Sequence, residues 1–416
     1  MSVTNCENVG SARSAVRKTP RARIRNWTLL TVIAAGAAFA LRGTARLRDA
    51  SLFAEDGQIF LAEAHNLGSA AFVEPYAGYL HSIPRILAWL LAPVPVTGAP
   101  ALYAAAAMLV HLLMLTPALS ARLDWLVPGR LLRAVLFASL CLMPPLWEVL
   151  ANVANLIFVG GICMLLLVLS NDPRTRTGRT AELVAVALLG LSGPLIVIFL
   201  PWFVWRWWRV GRTPHSTLVA MVSAVAAGVQ GLTYLRSDRD TPGGGTAFLL
   251  VQTVYERVGG SWLFGDAEIV APNGSAWVIG ATVGWCLGAL VLSVAVLPRV
   301  ALVLWALLAV LLGSAVHAYG DAMIASSFHF QRHIVIPVAI VVVLLVAVVG
   351  QAPTRWIAGA ASLWLVIGAA AMIHDFVPEP YPYRPDLNVL QECVDSGAAT
   401  CRQPIFDGTW TVELRQ

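Results

Sequence analysis

Apolar runs with almost no Asp, Glu or Lys recur along the whole chain, at 27–43, 99–119, 131–146, 153–170, 180–191, 193–205, 214–235, 275–297, 301–317, 334–350 and 356–374. Runs of this kind suit the ~30 Å hydrocarbon core of a bilayer, which takes about 20 apolar residues as a helix. A helix is also one of the few structures that satisfies its own backbone in lipid. The chain is therefore predicted to be an all-α polytopic membrane protein with about 11 transmembrane helices. Composition excludes the alternatives. Of 416 residues, 58% are hydrophobic and 12% charged, against about 25% charged in an average soluble domain. That leaves too little polar surface to cover a soluble enzyme, and too much apolar sequence for a disordered chain.

Orientation follows from the basic residues. Arg13, Arg17, Lys18, Arg21, Arg23 and Arg25 precede the first run. That run is either a signal peptide or an uncleaved span; its length and the organised sequence after it favour the span. The basic block puts the N-terminal segment 1–26 in the cytoplasm. The loop 44–97 then lies outside, with helical patterns at 56–67 and 81–93. The second is ~20 Å long, short for a crossing. Both are predicted as juxtamembrane helices at the outer interface. With 81–93 not crossing, Arg122 and Arg130, then Arg174, Arg176 and Arg179, then Arg206, Arg209 and Arg212, then Arg299 and Arg355 all fall inside. The transmembrane domain spans 27–374, with further external loops at 236–274 and 318–333. The segment 375–416 is external. There Cys393 and Cys401 read as a local disulfide in an oxidising compartment. Cys141, Cys163 and Cys286 lie in apolar runs as small hydrophobes.

Two outer hairpins carry breaking residues. One runs from Met143-Pro144-Pro145 through Glu148 to Asn152 and Asn155; the other turns at Ser192-Gly193-Pro194. Irregular backbone at this depth lines a cavity or is covered by protein. On a helix, Glu148, Asn152 and Asn155 share one face. They line a cavity or bond between helices.

Polar chemistry concentrates in the first external loop, with Asp49, Glu55, Asp56, Glu63, His65, Glu74, Tyr76, Tyr79, His81 and Arg85. One acid of Glu55-Asp56 suits a helix N-terminus, which leaves the other unexplained. Aromatic faces beside carboxylates and a histidine suit a sugar, packing on its CH surface and bonding its hydroxyls. A carboxylate near an acceptor hydroxyl serves as general base.

The segments Phe53-Ala54-Glu55-Asp56-Gly57-Gln58-Ile59-Phe60, Pro75-Tyr76-Ala77-Gly78-Tyr79-Leu80-His81 and Pro84-Arg85, with the tail Cys393, Cys401-Arg402-Gln403-Pro404-Ile405 and Gly408-Thr409-Trp410, resemble bacterial members of the GT-C superfamily of membrane glycosyltransferases. The resemblance covers most of the chain in topology and these patches in motif. It implies a polyprenyl-phosphate-sugar donor, transfer with inversion to a cell-envelope glycan, lipid or protein, and a site on the outer side of the bacterial cytoplasmic membrane. It also implies a catalytic acid at Glu55-Asp56. Their order reverses the Asp-Glu of better-known branches, so both stay open as base, with Asp56 placed ahead of Glu55. The departing phosphate needs positive charge, which arginine supplies in bidentate form. Arg332, His333 and Arg85 are the predicted phosphate-binding residues, although Arg332-His333 also suits a snorkelling helix end and Arg85 an exposed helix charge. Arg257 follows Glu256 and pairs with it in the plainer reading. Tyr76, Tyr79, His81, Glu148, Asn152 and Asn155 are the predicted sugar and acceptor contacts. The sugar stays open among arabinofuranose, glucose, mannose and galactofuranose.

No phosphate-cradling glycine motif, zinc-type Cys/His spacing or Gly-x-Ser-x-Gly nucleophile is present. No nucleic-acid partner is expected, because the arginines spread along the inner membrane edge. No cofactor is required by the chemistry; Asp238, Asp240, Asp266 and Asp321 are the external acids able to ligate a divalent metal. A transporter or flippase of lipid-linked glycans, and a noncatalytic assembly protein, are the competing classes. The absence of internal repeats weighs against the transporter.

Overall fold

The computed structural model describes residues 20–238, 243–265, 275–325, 330–378 and 380–416. Arg13, Arg17, Lys18, Asp240 and Asp266 lie outside the described residues, as do parts of the loops 236–274 and 318–333. The chain is a helical membrane protein. Among the described residues, six helical segments are long and apolar enough to cross a bilayer: Ala99–Leu119, Pro214–Leu235, Ala276–Val296, Pro298–Tyr319, Gln331–Gln351 and Arg355–His374. The other predicted runs are the helix Pro20–Arg42 and four shorter helices, Arg130–Leu142, Leu156–Leu169, Arg176–Gly190 and Leu195–Arg209.

Sequence decides which helices sit centrally. Val335–Gln351 and Leu156–Leu169 are apolar all round, and a helix without a polar stripe belongs inside a bundle. Burial agrees for the span Gln331–Gln351, with 83% of its central window covered, against 28% for Pro214–Leu235 and 17% for Arg355–His374. The peripheral helices instead present residues such as Leu218, Val225, Val291 and Leu363 outward, as lipid contact requires.

The two helices predicted at 56–67 and 81–93 both form. The first starts as a π-helix, Asp56–Leu61, and continues as the α-helix Ala62–Leu67. The second, Ser82–Leu91, has 10 residues. At 1.5 Å per residue it measures ~15 Å, half a bilayer core. Its Trp89 and Leu90 are exposed, as suits a helix at an interface.

One local expectation is corrected. The stretch 143–155 is a chain of turns with no regular helix, so Glu148, Asn152 and Asn155 do not share a helical face. Pro144 and Pro145 remove two main-chain donors and end the preceding helix. The guanidinium of Arg42 holds the start of the stretch, donating to the carbonyls of Met143 at 2.8 Å and Pro144 at 3.0 Å.

The C-terminal segment is more structured than a tail. A helix, Leu387–Asp395, leads into β1 (Thr400–Ile405), which pairs antiparallel with β2 (Trp410–Arg415), Thr400 opposite Arg415 and Ile405 opposite Trp410. Cys393 and Cys401 form the predicted disulfide. The strands alternate faces, and Cys401, Ile405, Val412 and Leu414 face inward to join Leu52, Phe53, Phe60 and Leu61 of the first external loop in one hydrophobic cluster. The three other cysteines described are buried and free.

Candidate functional site

A cavity of about 520 Å³ opens between the loop 44–97 and the adjoining ends of the bundle helices. That volume is in the range of small-molecule sites. Its wall gathers Glu55, Tyr76, Tyr79, His81, Asn155, Arg332 and His333 from four separate stretches of sequence. Both broken hairpins border it, one through Ala154 and Asn155, the other through Pro194 and Leu195. Ile157, Phe158, Val197, Ile198, Ala315 and Ala318 give it an apolar side.

The tyrosine wall is made by one tight turn. Ala77 and Gly78 both have positive φ, 51° and 84°, the signature of a two-residue hairpin turn of the primed type. Tyr76 and Tyr79 exchange main-chain hydrogen bonds of 2.9 and 3.0 Å across it. Tyr79 then stacks on Tyr234, with centroids 5.5 Å apart and planes 14° from parallel. Glycine is required at 78 for a second reason, since a Cβ there would lie 2.8 Å from the Ser237 hydroxyl. Gln230 pins the following residue, accepting from the Leu80 N–H at 2.9 Å and donating to the Gly190 carbonyl at 3.1 Å. His81 places Nδ1 3.0 Å from the Tyr79 carbonyl. Burial pushes its pKa down to about 4, so the ring is neutral at physiological pH. A neutral ring facing a carbonyl carries its proton on Nδ1, which leaves Nε2 as an acceptor.

The two acids divide. Glu55 lines the cavity, and its Oε2 has no hydrogen-bond partner among the described residues. Burial holds its pKa above the ordinary value, while the positive charge of Arg332 pulls it down. Asp56, predicted as the base, does not reach the cavity wall. Its Oδ2 accepts from the Val153 N–H at 3.0 Å and its Oδ1 from the Ala154 N–H at 2.7 Å. Burial pushes it up to about 7, against the downward pull of those two donors. Successive residues on a helix point about 100° apart, so one cavity takes only one of two adjacent acids. Glu55 is that acid, and Asp56 fastens the loop that forms the opposite wall.

Arg332 also has a fixed setting. Its Nη1 lies 3.0 Å from Glu148 Oε1, and its N–H donates to Glu148 Oε2 at 2.9 Å. The main-chain carbonyl of Glu148 accepts from Asn152 Nδ2 at 2.6 Å and from Asn155 Nδ2 at 2.8 Å. Glu148 and Asn152, predicted as sugar contacts, are therefore buried supports of Arg332 and the loop, because their side chains are used inside the protein. Asn155 keeps a place on the cavity wall. His333 packs edge-on to Phe158, centroids 5.1 Å apart, and beside Tyr319 at 5.0 Å.

Arg85 is corrected as well. It is 2% exposed and paired with Glu63 at 2.7 Å, behind the cavity wall and away from solvent. Arg257 is buried in the π-helix Val254–Gly259, while its neighbour Glu256 accepts from Gln252 at 2.8 Å. Among the described residues no cluster of three or more His, Cys, Asp or Glu is placed to hold a metal.

Four polar wall residues were missed in the sequence: Gln230, Tyr234, Ser314 and Tyr319. Gln230 carried a signal, as an amide inside the apolar run 214–235. No protein-family model, no curated protein sequence and no solved structure matches this chain.

Proposed function

We propose that the protein is a GT-C-type membrane glycosyltransferase. It has about 11 spans, a cytoplasmic N-terminus and an outward-facing site in a bacterial cytoplasmic membrane. It transfers a sugar from a polyprenyl phosphate to a cell-envelope glycan, lipid or protein. The observation that carries this reading is the shared cavity: Glu55, with its Oε2 lacking a hydrogen-bond partner among the described residues, and the neighbours Arg332 and His333, between a tyrosine wall and an apolar side.

In this reading the acceptor hydroxyl gives its proton to Glu55. The oxygen bonds to the anomeric carbon from the face opposite the phosphate, which accounts for inversion. The bond from that carbon to the phosphate oxygen breaks, and its electron pair leaves with the polyprenyl phosphate. Arg332 and His333 meet the departing charge. Tyr76 and Tyr79 offer ring faces to the sugar, and His81 Nε2 and Asn155 bond its hydroxyls. The apolar side takes the first prenyl units.

The test is direct. Purified protein in nanodiscs is given polyprenyl-phosphate arabinofuranose, glucose, mannose or galactofuranose with cell-envelope extract, and release of polyprenyl phosphate is measured. One donor is expected to turn over in the wild type and to stall in Glu55→Gln. Equal turnover in both proteins overturns the reading, and movement of intact donor across the bilayer without cleavage favours a flippase.

A further inference from the structure

The helix that carries Glu55 is gripped from two sides. On its inner side Asp56 accepts the Val153 and Ala154 N–H groups. On its outer side lies the C-terminal hairpin. A Cβ on Gly57 would fall 2.3 Å from Ile405 Cδ1 and 2.9 Å from Val412 Cγ2, so the glycine lets β1 and β2 press directly on the turn after Glu55. Polar contacts fix the register of that contact. Gln58 Oε1 accepts from the Thr411 N–H at 3.1 Å. Asn66 donates to the Glu413 carbonyl at 2.9 Å and accepts from the Arg415 N–H at 2.8 Å. Both amides therefore satisfy main-chain groups on the strand edge that faces the helix. Gln58 lies in the π-helical segment Asp56–Leu61 and Asn66 in the α-helix that continues it. A π-turn inside a helix is uncommon and needs its surroundings to hold it.

We infer that the C-terminal hairpin, tied by the Cys393–Cys401 disulfide to the helix before it, is the positioning element for the Glu55 turn, acting through Gln58 and Asn66. None of the hairpin's residues reaches the cavity wall, so its influence passes through the helix and not through substrate. The inference rests on the proposed function only for what Glu55 does once positioned.

The experiment uses the full-length protein and its Asn66→Ala, Gln58→Ala and doubly substituted variants. Three readouts are compared: amide hydrogen exchange, the pH dependence of Glu55 modification by a lipophilic carbodiimide, and the kcat and KM of sugar transfer. In the double variant, exchange over 53–61 is expected to quicken about tenfold together with that of 400–415, as loss of side-chain hydrogen bonds loosens a shared unit. The carbodiimide midpoint moves down toward the ordinary carboxylate range as water reaches Glu55. kcat falls while the donor KM stays. Faster exchange confined to 400–415, with the Glu55 labelling curve unmoved, overturns the inference. If one variant does not fold, the other loosens the opposite end of the same contact and is read alone. If the wild type transfers no sugar at all, the proposed function fails, while exchange and labelling still decide the positioning role.

Discussion

Two regions of this molecule bury an acid against arginine, and they use it differently. In one region, Glu182 is covered by Arg122, by Arg206 at 3.0 Å and by His215 at 2.6 Å. Arg206 also holds Asp172 at 3.0 Å, and Arg209 donates to Asn171 and to the last carbonyls of the helix Leu156–Leu169. Glu182 has both carboxylate oxygens paired, and it does not line the cavity that Glu55 borders. In the other region, beside the cavity, Glu148 is satisfied in the same way by Arg332, but Glu55 is not. One of its oxygens is buried without a hydrogen-bond partner among the described residues and borders a cavity. A paired buried acid ties elements together; an unpaired one at a void is costly unless it is used.

The comparison can be broken by exchanging carboxylates for amides on the two sides. Glu55→Gln is expected to lower sugar transfer by about 10²–10⁴-fold, the usual span for loss of a general base, with protein level and melting temperature near those of the wild type. Arg332→Gln comes next. Loss of a cation at the departing phosphate is expected to lower kcat/KM for the donor about 10²-fold, with some loss of stability because Glu148 is left unpaired. Glu182→Gln is expected to do the reverse. Transfer by the folded protein persists, while stability in detergent falls by about 3 kcal/mol, as for other broken buried ion pairs. A Glu182 variant that folds normally and loses transfer would erase the distinction between the two regions.

Smaller effects sharpen it. Opening the Cys393–Cys401 link by double substitution to serine is expected to cost the hairpin about 2–3 kcal/mol of local stability in the chain-entropy view, read as faster proteolysis of 396–416. The pH dependence is the finest probe. A base must be ionised, so transfer is expected to rise with pH through a midpoint above the ordinary carboxylate range, set by the burial of Glu55. Stability runs the other way. Asp56 has a folded pKa of about 7 against an ordinary 3.8, so the fold binds a proton that the unfolded chain has released. Its contribution is greatest below 3.8 and is lost as pH climbs to about 7. Activity and melting temperature are therefore expected to move in opposite directions across that window, and Asp56→Asn is expected to flatten the stability curve while leaving the activity midpoint in place.

What the sequence reveals depends on how local each feature is. The apolar runs and the two short external helices are visible in periodicity, because burial in lipid or at its edge acts residue by residue. The disulfide is visible because its partners are eight positions apart. The tyrosine turn and Arg332-His333 stand out as polar groups beside apolar runs. Which of the two acids faces the cavity was not legible, because it turns on which one meets the N–H groups of Val153 and Ala154, almost a hundred residues away. The setting of Glu148 was not legible for the same reason: its partner Arg332 is 184 positions along the chain. The hairpin Thr400–Arg415 was not read from the sequence: in its first strand the buried positions include the polar Gln403 beside Cys401 and Ile405, so burial does not follow a plain apolar alternation. Its contact with Gly57 was not either, because a missing side chain leaves no mark on a sequence.

The central claim is that the outer cavity receives a lipid phosphate between Glu55 and Arg332. A structure of the protein in nanodiscs with bound polyprenyl phosphate tests it most directly. The account expects phosphate density against the guanidinium of Arg332 and beside His333, with the first prenyl units along Ile198 and Ala318. Phosphate density at the inner arginines Arg122 and Arg206, with the outer cavity holding none, would contradict it.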